Sequence, residues 1–154
     1  MSISTRYWFL AGIYMGLIFI QSSIPGDKLP PLPISDKLSH LTEFGILSWL
    51  IGKASRTSNK KFLIKQAAIF SIIITILYGI SDELHQSFIS LREPEVYDVI
   101  YDGIGGVLAQ GIFLIRRGQK IVTVQPLINT DLARINSRRQ RAEGKGQPEE
   151  KTSA

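Results

Sequence analysis

Long apolar stretches alternate with short polar ones along the chain. Four apolar segments cover residues 7–24, 38–52, 65–88 and 96–115. A transmembrane helix needs roughly 20 mostly apolar residues, so the first and fourth segments have spanning length as they stand. The second segment reaches that length if it begins near Asp36, and the third if "SDELHQSF" forms its last two turns. The pattern predicts an all-α protein, an integral membrane bundle of four transmembrane helices.

Polar stretches divide the chain further. "PGDKLPPLP", "KASRTSNKK" and "SLREPE" separate the apolar segments and are rich in the Pro, Gly, Ser and charged residues that favour loops. Beyond residue 115 the chain is basic and polar to its end. We therefore expect a transmembrane domain over residues 1–115 and a basic, disordered cytoplasmic tail over residues 116–154.

Composition and charge refine this topology. The chain has no cysteine, which excludes disulfide bonds and thiolate metal sites. Its net charge of +5 would suit a nucleic-acid partner if the charge were clustered on one surface. Fifteen of the 18 Lys and Arg, however, lie in the amino end, the middle loop and the tail, which share one side of a four-span topology. Positive loops stay inside, so we expect both termini in the cytoplasm of a bacterial-type plasma membrane, and no nucleic-acid partner.

Polar and ionisable residues at the helix ends all fall on the outer face in this topology, and both histidines are among them. These candidate ligand-binding residues are His40, Glu43, Asp82, Glu83, His85, Gln86, Arg92, Asp98 and Asp102. A carboxylate at mid-bilayer costs roughly 2.5 to 3.5 kcal/mol, so these groups must face inward and pair. They form either a functional site or a network that only holds the helices together. The nearby Asp36 is interpreted as a helix N-cap.

Helical spacing indicates which side chains share a face. At 100° per residue, Asp82 and Gln86 lie on one edge of the third helix, opposite Leu77 and Leu84. In the fourth helix an acidic end, with Asp98 and Asp102, runs into a seam of small residues, as expected where helix backbones approach closely. The third and fourth helices therefore turn polar or small faces inward.

These motifs together resemble the VanZ-like family, named for a protein that raises resistance to teicoplanin. The resemblance rests on "SSIPG", "SDKLSHLTEFGIL", "YGISDELHQSF", Arg92 and "DVIYDGIGGVLAQG", and it covers residues 7 to 115. One difference is that the family commonly has a Pro-Gly pair before the arginine, where this chain has Ser90 and Leu91. The resemblance implies a small integral membrane protein without an established activity, associated with reduced susceptibility to a lipid-bearing glycopeptide.

Two functions follow as hypotheses. The first is binding of an envelope component, which is a lipid head group, a wall precursor or a partner membrane protein, with an effect on glycopeptide susceptibility. Arg92 would then contact phosphate or carboxylate. The alternative is a membrane-embedded hydrolase or transferase at the outer leaflet that uses a divalent metal, with His40, His85 and Asp82 as candidate ligands. No catalytic residue is assigned, and ion transport is disfavoured because four short helices leave little room for a pathway.

Overall fold

The computed structural model describes the backbone of residues 1–28 and 35–144, and the side chains of this part except at 117–127, 129 and 141–144. The described chain is all-α. Its helices are α1 (Ile3–Ser22), α2 (Asp36–Arg56), α3 (Lys61–Lys65), α4 (Ala67–Gln86) and α5 (Val96–Gly144), with a 3₁₀ turn at Gly26–Lys28. The prediction of an all-helical protein is confirmed.

The second and third apolar segments were expected to reach spanning length only if polar residues at one end were helical, and the helix ends agree with this. α2 begins at Asp36, and α4 runs to Gln86, so most of "SDELHQSF" is helical. The start of α1 is capped by the Ser2 hydroxyl, which accepts a hydrogen bond from the Thr5 backbone N–H at 3.1 Å. Both shorter segments therefore reach 20 residues or more by including polar residues at one end.

Neighbouring helices run antiparallel. The Ser4 hydroxyl, near the start of α1, donates to the Ala54 carbonyl near the end of α2 at 2.8 Å. At the other end of this pair, the Gln21 side chain donates to Glu43 Oε1 at 2.9 Å. The last turns of α1 and α4 consequently lie beside the first turns of α2 and α5, as the hydrogen bonds and ion pairs described below show in detail.

The distribution of apolar side chains is that of a membrane protein. Leu77 and Leu84 of α4 are 56% and 63% exposed, whereas Thr75 and Asp102 are fully buried. Lipid tails are as apolar as leucine, so helices in a bilayer can turn large apolar side chains outward and pack on small or polar ones. The predicted outward and inward faces of α4 and α5 are confirmed.

Within the described residues, three helices are long and apolar enough to cross a membrane: α1, α4 and the part of α5 from Val96 to Arg116. Four such helices were predicted, and α2 is the one that does not qualify by composition. α2 is instead the most enclosed helix, with Phe44, Leu47 and Ile51 among its buried residues. A helix covered by protein needs less apolar surface than one covered by lipid. That α2 also crosses the membrane stays a prediction.

α2 and α5 approach closely through glycines. A Cβ placed on Gly105 would collide with the Leu41 carbonyl oxygen, and one on Gly45 would lie 3.3 Å from the Gly105 carbonyl oxygen. Only a residue without a side chain permits this separation of the helix backbones. The predicted small-residue seam of α5 therefore faces α2.

The chain divides into a compact unit, Met1–Phe113, and a second unit that begins at Leu114. The backbone of residues 114–144 continues α5 as helix, whereas the composition predicts a tail without regular structure. Its side chains from residue 130 to 140 are exposed. The apolar side chains of Ile128, Leu132 and Ile135 in this extension are exposed as well, so they contribute little packing energy to the helix, and the predicted disorder of residues 116–154 stays a prediction. Residues 145–154 lie outside the described part.

Candidate functional site

Four helix ends meet at one end of the bundle, which we call the polar end. It consists of the last turns of α1 and α4, the first turns of α2 and α5, and the turns that join them. All nine candidate residues predicted from the sequence lie there. Their contacts divide them into three groups, centred on His40, on the end of α4 and on Arg92.

His40 lies between two carboxylates of α5. Its Nδ1 is 3.0 Å from Asp102 Oδ1, and its Nε2 is 3.9 Å from Asp98 Oδ2. The exposed fractions of His40, Asp98 and Asp102 are 7%, 4% and 0%. The His40 ring also lies parallel to that of Phe44, with centroids 5.8 Å apart. The imidazole is thus held by one hydrogen bond and one stacking contact, with Nε2 directed at a second acid.

Three buried carboxylates of the polar end each have one oxygen without a hydrogen-bond partner among the described residues. These oxygens are Asp98 Oδ1, Asp102 Oδ2 and Glu83 Oε1. A buried acceptor left unpaired costs about 1 to 3 kcal/mol, and more when it is charged. Buried oxygens of Ser55, Thr75 and Gln110 elsewhere in the described bundle also lack a partner, so the polar end differs in that three of its unpaired acceptors belong to carboxylates.

The last turn of α4 turns a polar edge inward. The Gln86 side chain donates to Asp82 Oδ2 at 2.9 Å, one helical turn away, as the spacing predicts. Glu83 accepts a hydrogen bond from the Glu95 backbone N–H at 2.9 Å, just before α5 begins. A carboxylate at this point suits the positive end of a helix dipole. Glu83 therefore joins α4 to the start of α5.

The second histidine lies apart from the first in its contacts. His85 Nε2 is 2.9 Å from the Ser23 hydroxyl, and its ring stacks on Phe19 with centroids 4.4 Å apart. Both partners belong to the end of α1. Among the described residues, the group of atoms placed to bind one metal ion does not include His85.

Arg92 fastens the turn before α5 to the end of α1. Its Nε donates to the Ile24 carbonyl at 3.3 Å and its Nη2 to the Gln21 carbonyl at 3.4 Å. The preceding Leu91 has a φ of 58°, a left-handed conformation that favours glycine. This is the position where VanZ-like proteins commonly have glycine. The departure from the family pattern therefore changes the residue and keeps the conformation that glycine favours.

A small cavity of about 20 Å³ opens at the polar end, enough for one water molecule. Except for Ile18, its lining residues are polar, and they come from α1, α2, α4 and the turn that carries Arg92. Ser22, which is buried in this lining, has a hydroxyl without a hydrogen-bond partner among the described residues. The ionisable lining consists of Asp36, Glu43, Asp82, His40 and Arg92. Carboxylates outnumber the basic groups, so the cavity attracts cations.

Asp36, His40 and Asp98 form a group whose potential metal-binding atoms lie within 4.8 Å of one another. Of the three metal ligands predicted from the sequence, His40 belongs to this group, whereas Asp82 and His85 do not. Asp82 lies in the lining of the cavity, and His85 contacts the end of α1. Asp36 is predicted from the sequence as an N-cap and not as a ligand; this prediction is wrong, because the N-cap is Ser35, one residue earlier. The i, i+4 spacing of Asp36 and His40 was the available signal.

A family model described as VanZ/LLP1 matches residues 7–117 of the chain. No curated protein and no solved structure matches it. The match covers the whole helical bundle, including every candidate residue of the polar end. Its described residues form an all-helical fold with three apolar helices of spanning length, and the chain belongs to the VanZ/LLP1 family of membrane proteins.

Proposed function

We propose that this membrane protein holds its polar end at the outer face of the membrane and binds there the anionic head group of an envelope component. The component is a phospholipid or a lipid-linked wall precursor, both of which carry phosphate. The observation that carries the proposal is the convergence of polar side chains from three helices, and from the turn that carries Arg92, around one opening. Intramembrane ionisable residues are expensive, and they generally mark functional sites.

The charge distribution supports this orientation. Fifteen of the 18 Lys and Arg lie on the side opposite the polar end, if α2 crosses the membrane with its neighbours. At that opposite end, the rings of Tyr7 and Trp49 meet edge to face at 6.0 Å, and the Lys53 ammonium lies 5.7 Å from the Trp49 ring centroid. Aromatic and basic residues of this kind anchor helices at an interface. Both termini are then cytoplasmic.

Arg92 is the residue suited to bind a phosphate or carboxylate. Its planar guanidinium matches either anion with two parallel hydrogen bonds. Its present bonds to two backbone carbonyls, at 3.3 and 3.4 Å, are at the long limit for N–H···O contacts. Bonds to a charged oxygen are about twice as strong as neutral ones, so an anionic head group would displace them.

Apolar side chains beside the polar end would accommodate the tails of such a ligand. Leu84 and Phe88 are 63% and 81% exposed, next to the buried Asp82 and Gln86. A lipid lying along α4 would thus place its acyl chains on apolar side chains and its head group near the opening. A wall precursor or lipid bound at this face would also alter the surface on which a lipid-bearing glycopeptide acts.

The test is direct binding to the full chain in detergent. Short-chain phosphatidylglycerol and a short-chain, pyrophosphate-linked wall precursor are titrated separately, with mass spectrometry of intact complexes as readout and a chelator present throughout. Arg92→Gln should weaken binding of the true ligand at least about tenfold, since one charge-assisted contact contributes about 1.5 to 3 kcal/mol. Lys28→Gln, an exposed cation of the same loops, should leave binding unchanged.

Three results would count against the proposal. Neither titrant saturates, the Arg92 variant binds like the natural protein, or the Lys28 variant weakens binding equally. Consumption of the precursor in a parallel incubation with zinc and without the chelator would favour the metal-dependent hydrolase or transferase instead. An alanine scan of the nine candidate residues against lipoglycopeptide susceptibility, with membrane insertion checked for each variant, tests the cellular consequence.

A further inference from the structure

The group formed by Asp36, His40 and Asp98 has the composition of a metal site. It offers one imidazole nitrogen and two carboxylates from two helices, and its candidate ligand atoms lie within 4.8 Å of one another. Such mixed nitrogen and oxygen donors suit zinc and similar divalent ions. Proximity of acids is common, however, so the site needs evidence beyond it.

That evidence is the state of Asp98. The residue is 4% exposed, its Oδ1 has no hydrogen-bond partner among the described residues, and its Oδ2 lies 3.9 Å from His40 Nε2. This distance is too long for a hydrogen bond. A carboxylate buried to this degree is stabilised by pairing or by a metal. Asp98 therefore has Oδ1 buried without a hydrogen-bond partner among the described residues, while its Oδ2 faces the imidazole without a hydrogen bond to it.

The hydrogen bond that His40 makes through Nδ1 determines whether its Nε2 is a donor or an acceptor. Asp102 is a carboxylate and accepts, so the Nδ1–H of His40 donates to Asp102 Oδ1 over 3.0 Å. In the neutral imidazole this leaves a lone pair on Nε2, facing Asp98 Oδ2. Two acceptors that face each other at 3.9 Å need a cation between them. Metal-binding histidines commonly have this arrangement, with the other ring nitrogen donating to a carboxylate.

We propose that Asp36, His40 and Asp98 bind one divalent metal ion of the zinc type, and that Asp102 is a positioning residue which orients His40. Two ligands on one zinc ion, each bound at roughly 2.0 to 2.2 Å, cannot be more than about 4.4 Å apart. The candidate ligand atoms lie within 4.8 Å of one another, so any separation in the group exceeds this limit by no more than a few tenths of an ångström. Asp36 is exposed and is able to make that movement.

A metal ion here would strengthen the binding of an anionic head group that Arg92 contacts. The cavity beside it is lined by more carboxylates than basic groups, which weakens the attraction of Arg92 for phosphate. Two positive charges offset this excess, and a zinc ion with three protein ligands keeps a position for an outside oxygen. In this respect the inference rests on the proposed function, since the metal and Arg92 would bind the same head group.

The competing occupant is a proton. If Nε2 is protonated, His40 is an imidazolium that bridges Asp98 and Asp102, and the cluster is an ion-paired contact between α2 and α5. The two occupants make different predictions for Asp36. It is essential to a metal site, whereas it contributes little to a buried ion pair because its side chain is exposed.

The test measures zinc binding to the full chain in detergent, free of lipid, by calorimetric titration and by elemental analysis after dialysis. The natural protein should retain about one zinc ion per chain. Asp36→Asn should weaken binding at least about tenfold without affecting the fold, since the residue is exposed, and Asp27→Asn, an exposed acid outside the group, should bind normally. Asp102→Asn should weaken binding about 10- to 100-fold, as loss of an orienting partner does.

X-ray absorption at the zinc edge separates a ligand role from a purely structural one. The spectrum should show nitrogen and oxygen donors with one imidazole, and the imidazole signal should disappear in His40→Ala. Absence of retained zinc, or an Asp36→Asn variant that binds like the natural protein, would overturn the inference. Head-group binding is measured with a chelator present, so it can succeed when zinc binding fails, and the two proposals fail independently.

Discussion

The two halves of the bundle join α2 to α5 through different kinds of contact. In the half away from the polar end, hydrogen bonds between neutral groups join α2 to α5, and Arg56 lies over the Phe113 ring, 3.9 Å from its centroid. Gln110 donates to the Ser48 carbonyl at 2.8 Å and to its hydroxyl at 3.1 Å, and the Ser48 hydroxyl is 3.2 Å from the Gly106 carbonyl. At the polar end the same two helices are joined by a histidine and two acids, His40, Asp98 and Asp102.

The difference shows what assembly requires. Neutral side chains between membrane helices contribute about 0.6 kcal/mol each on average, which together with glycine packing suffices to join two helices. Ionisable groups incur a desolvation penalty of several kcal/mol before they pair. Among the described residues, the buried acids and the buried histidine all lie at the polar end, which indicates a role other than assembly. The two halves should therefore respond differently to substitution.

Removal of Asp102 should have the largest effect. Asp102→Ala leaves the His40 Nδ1–H buried without its partner, and loss of one member of such a pair costs about 3 to 5 kcal/mol. Reversible unfolding in detergent measures the loss, with the exposed Asp27→Ala as a control that should be neutral. Combined replacement of His40 and Asp102 by leucine should cost less than the single change. A loss below 1 kcal/mol would remove the contrast between the halves.

Gly105→Ala should have the next largest effect. The added methyl group would collide with the Leu41 carbonyl oxygen, and overpacking of this kind costs about 1 to 3 kcal/mol. Gly111 on the same helix has open space around its Cβ position, so Gly111→Ala should be neutral or slightly stabilising. The measurement is again the free energy of unfolding. Equal effects at both glycines would contradict the close approach of α2 and α5.

Ser48→Ala represents the neutral half. It removes the hydroxyl that accepts from Gln110 and donates to the Gly106 carbonyl, and it leaves the Gln110 bond to the Ser48 carbonyl intact. We expect a loss of about 1.2 kcal/mol, because hydrogen bonds between membrane helices contribute about 0.6 kcal/mol each on average. The expected contrast between the two halves would be absent if this variant lost as much stability as Asp102→Ala. Zinc and head-group binding should be unchanged, because Ser48 lies outside the polar end.

Leu91→Gly should have the smallest effect, with a gain in stability. The left-handed conformation of Leu91, with φ at 58°, costs about 1 to 2 kcal/mol for an L residue with a side chain. Glycine removes that cost and adds about 0.5 to 1 kcal/mol of chain entropy in the unfolded state, so a net gain of about 0.5 kcal/mol is expected. Leu91→Ala, which keeps the Cβ, serves as the control. A destabilised glycine variant would contradict the assigned conformation.

Contacts within one helix of the site could be predicted from the sequence, whereas contacts between helices could not. Asp82 and Gln86 pair over one helical turn, and helical spacing alone is enough to predict such a contact. The partner of Glu83 is the backbone N–H of Glu95, beyond the turn that follows α4, which no periodicity indicates. The two histidines, grouped as candidate ligands of one metal ion, contact different helices, because helix rotation about its own axis depends on packing.

The sequence by itself determined the helices, their inward and outward faces and the gathering of polar residues at one end. Those properties follow from the lengths and periods of apolar runs, which a bilayer constrains strongly. Only the tertiary structure decided that Asp36 joins His40 and Asp98, and that α2 is enclosed by its neighbours. Such contacts join residues about 60 positions apart, and they depend on where glycines let two helix backbones meet.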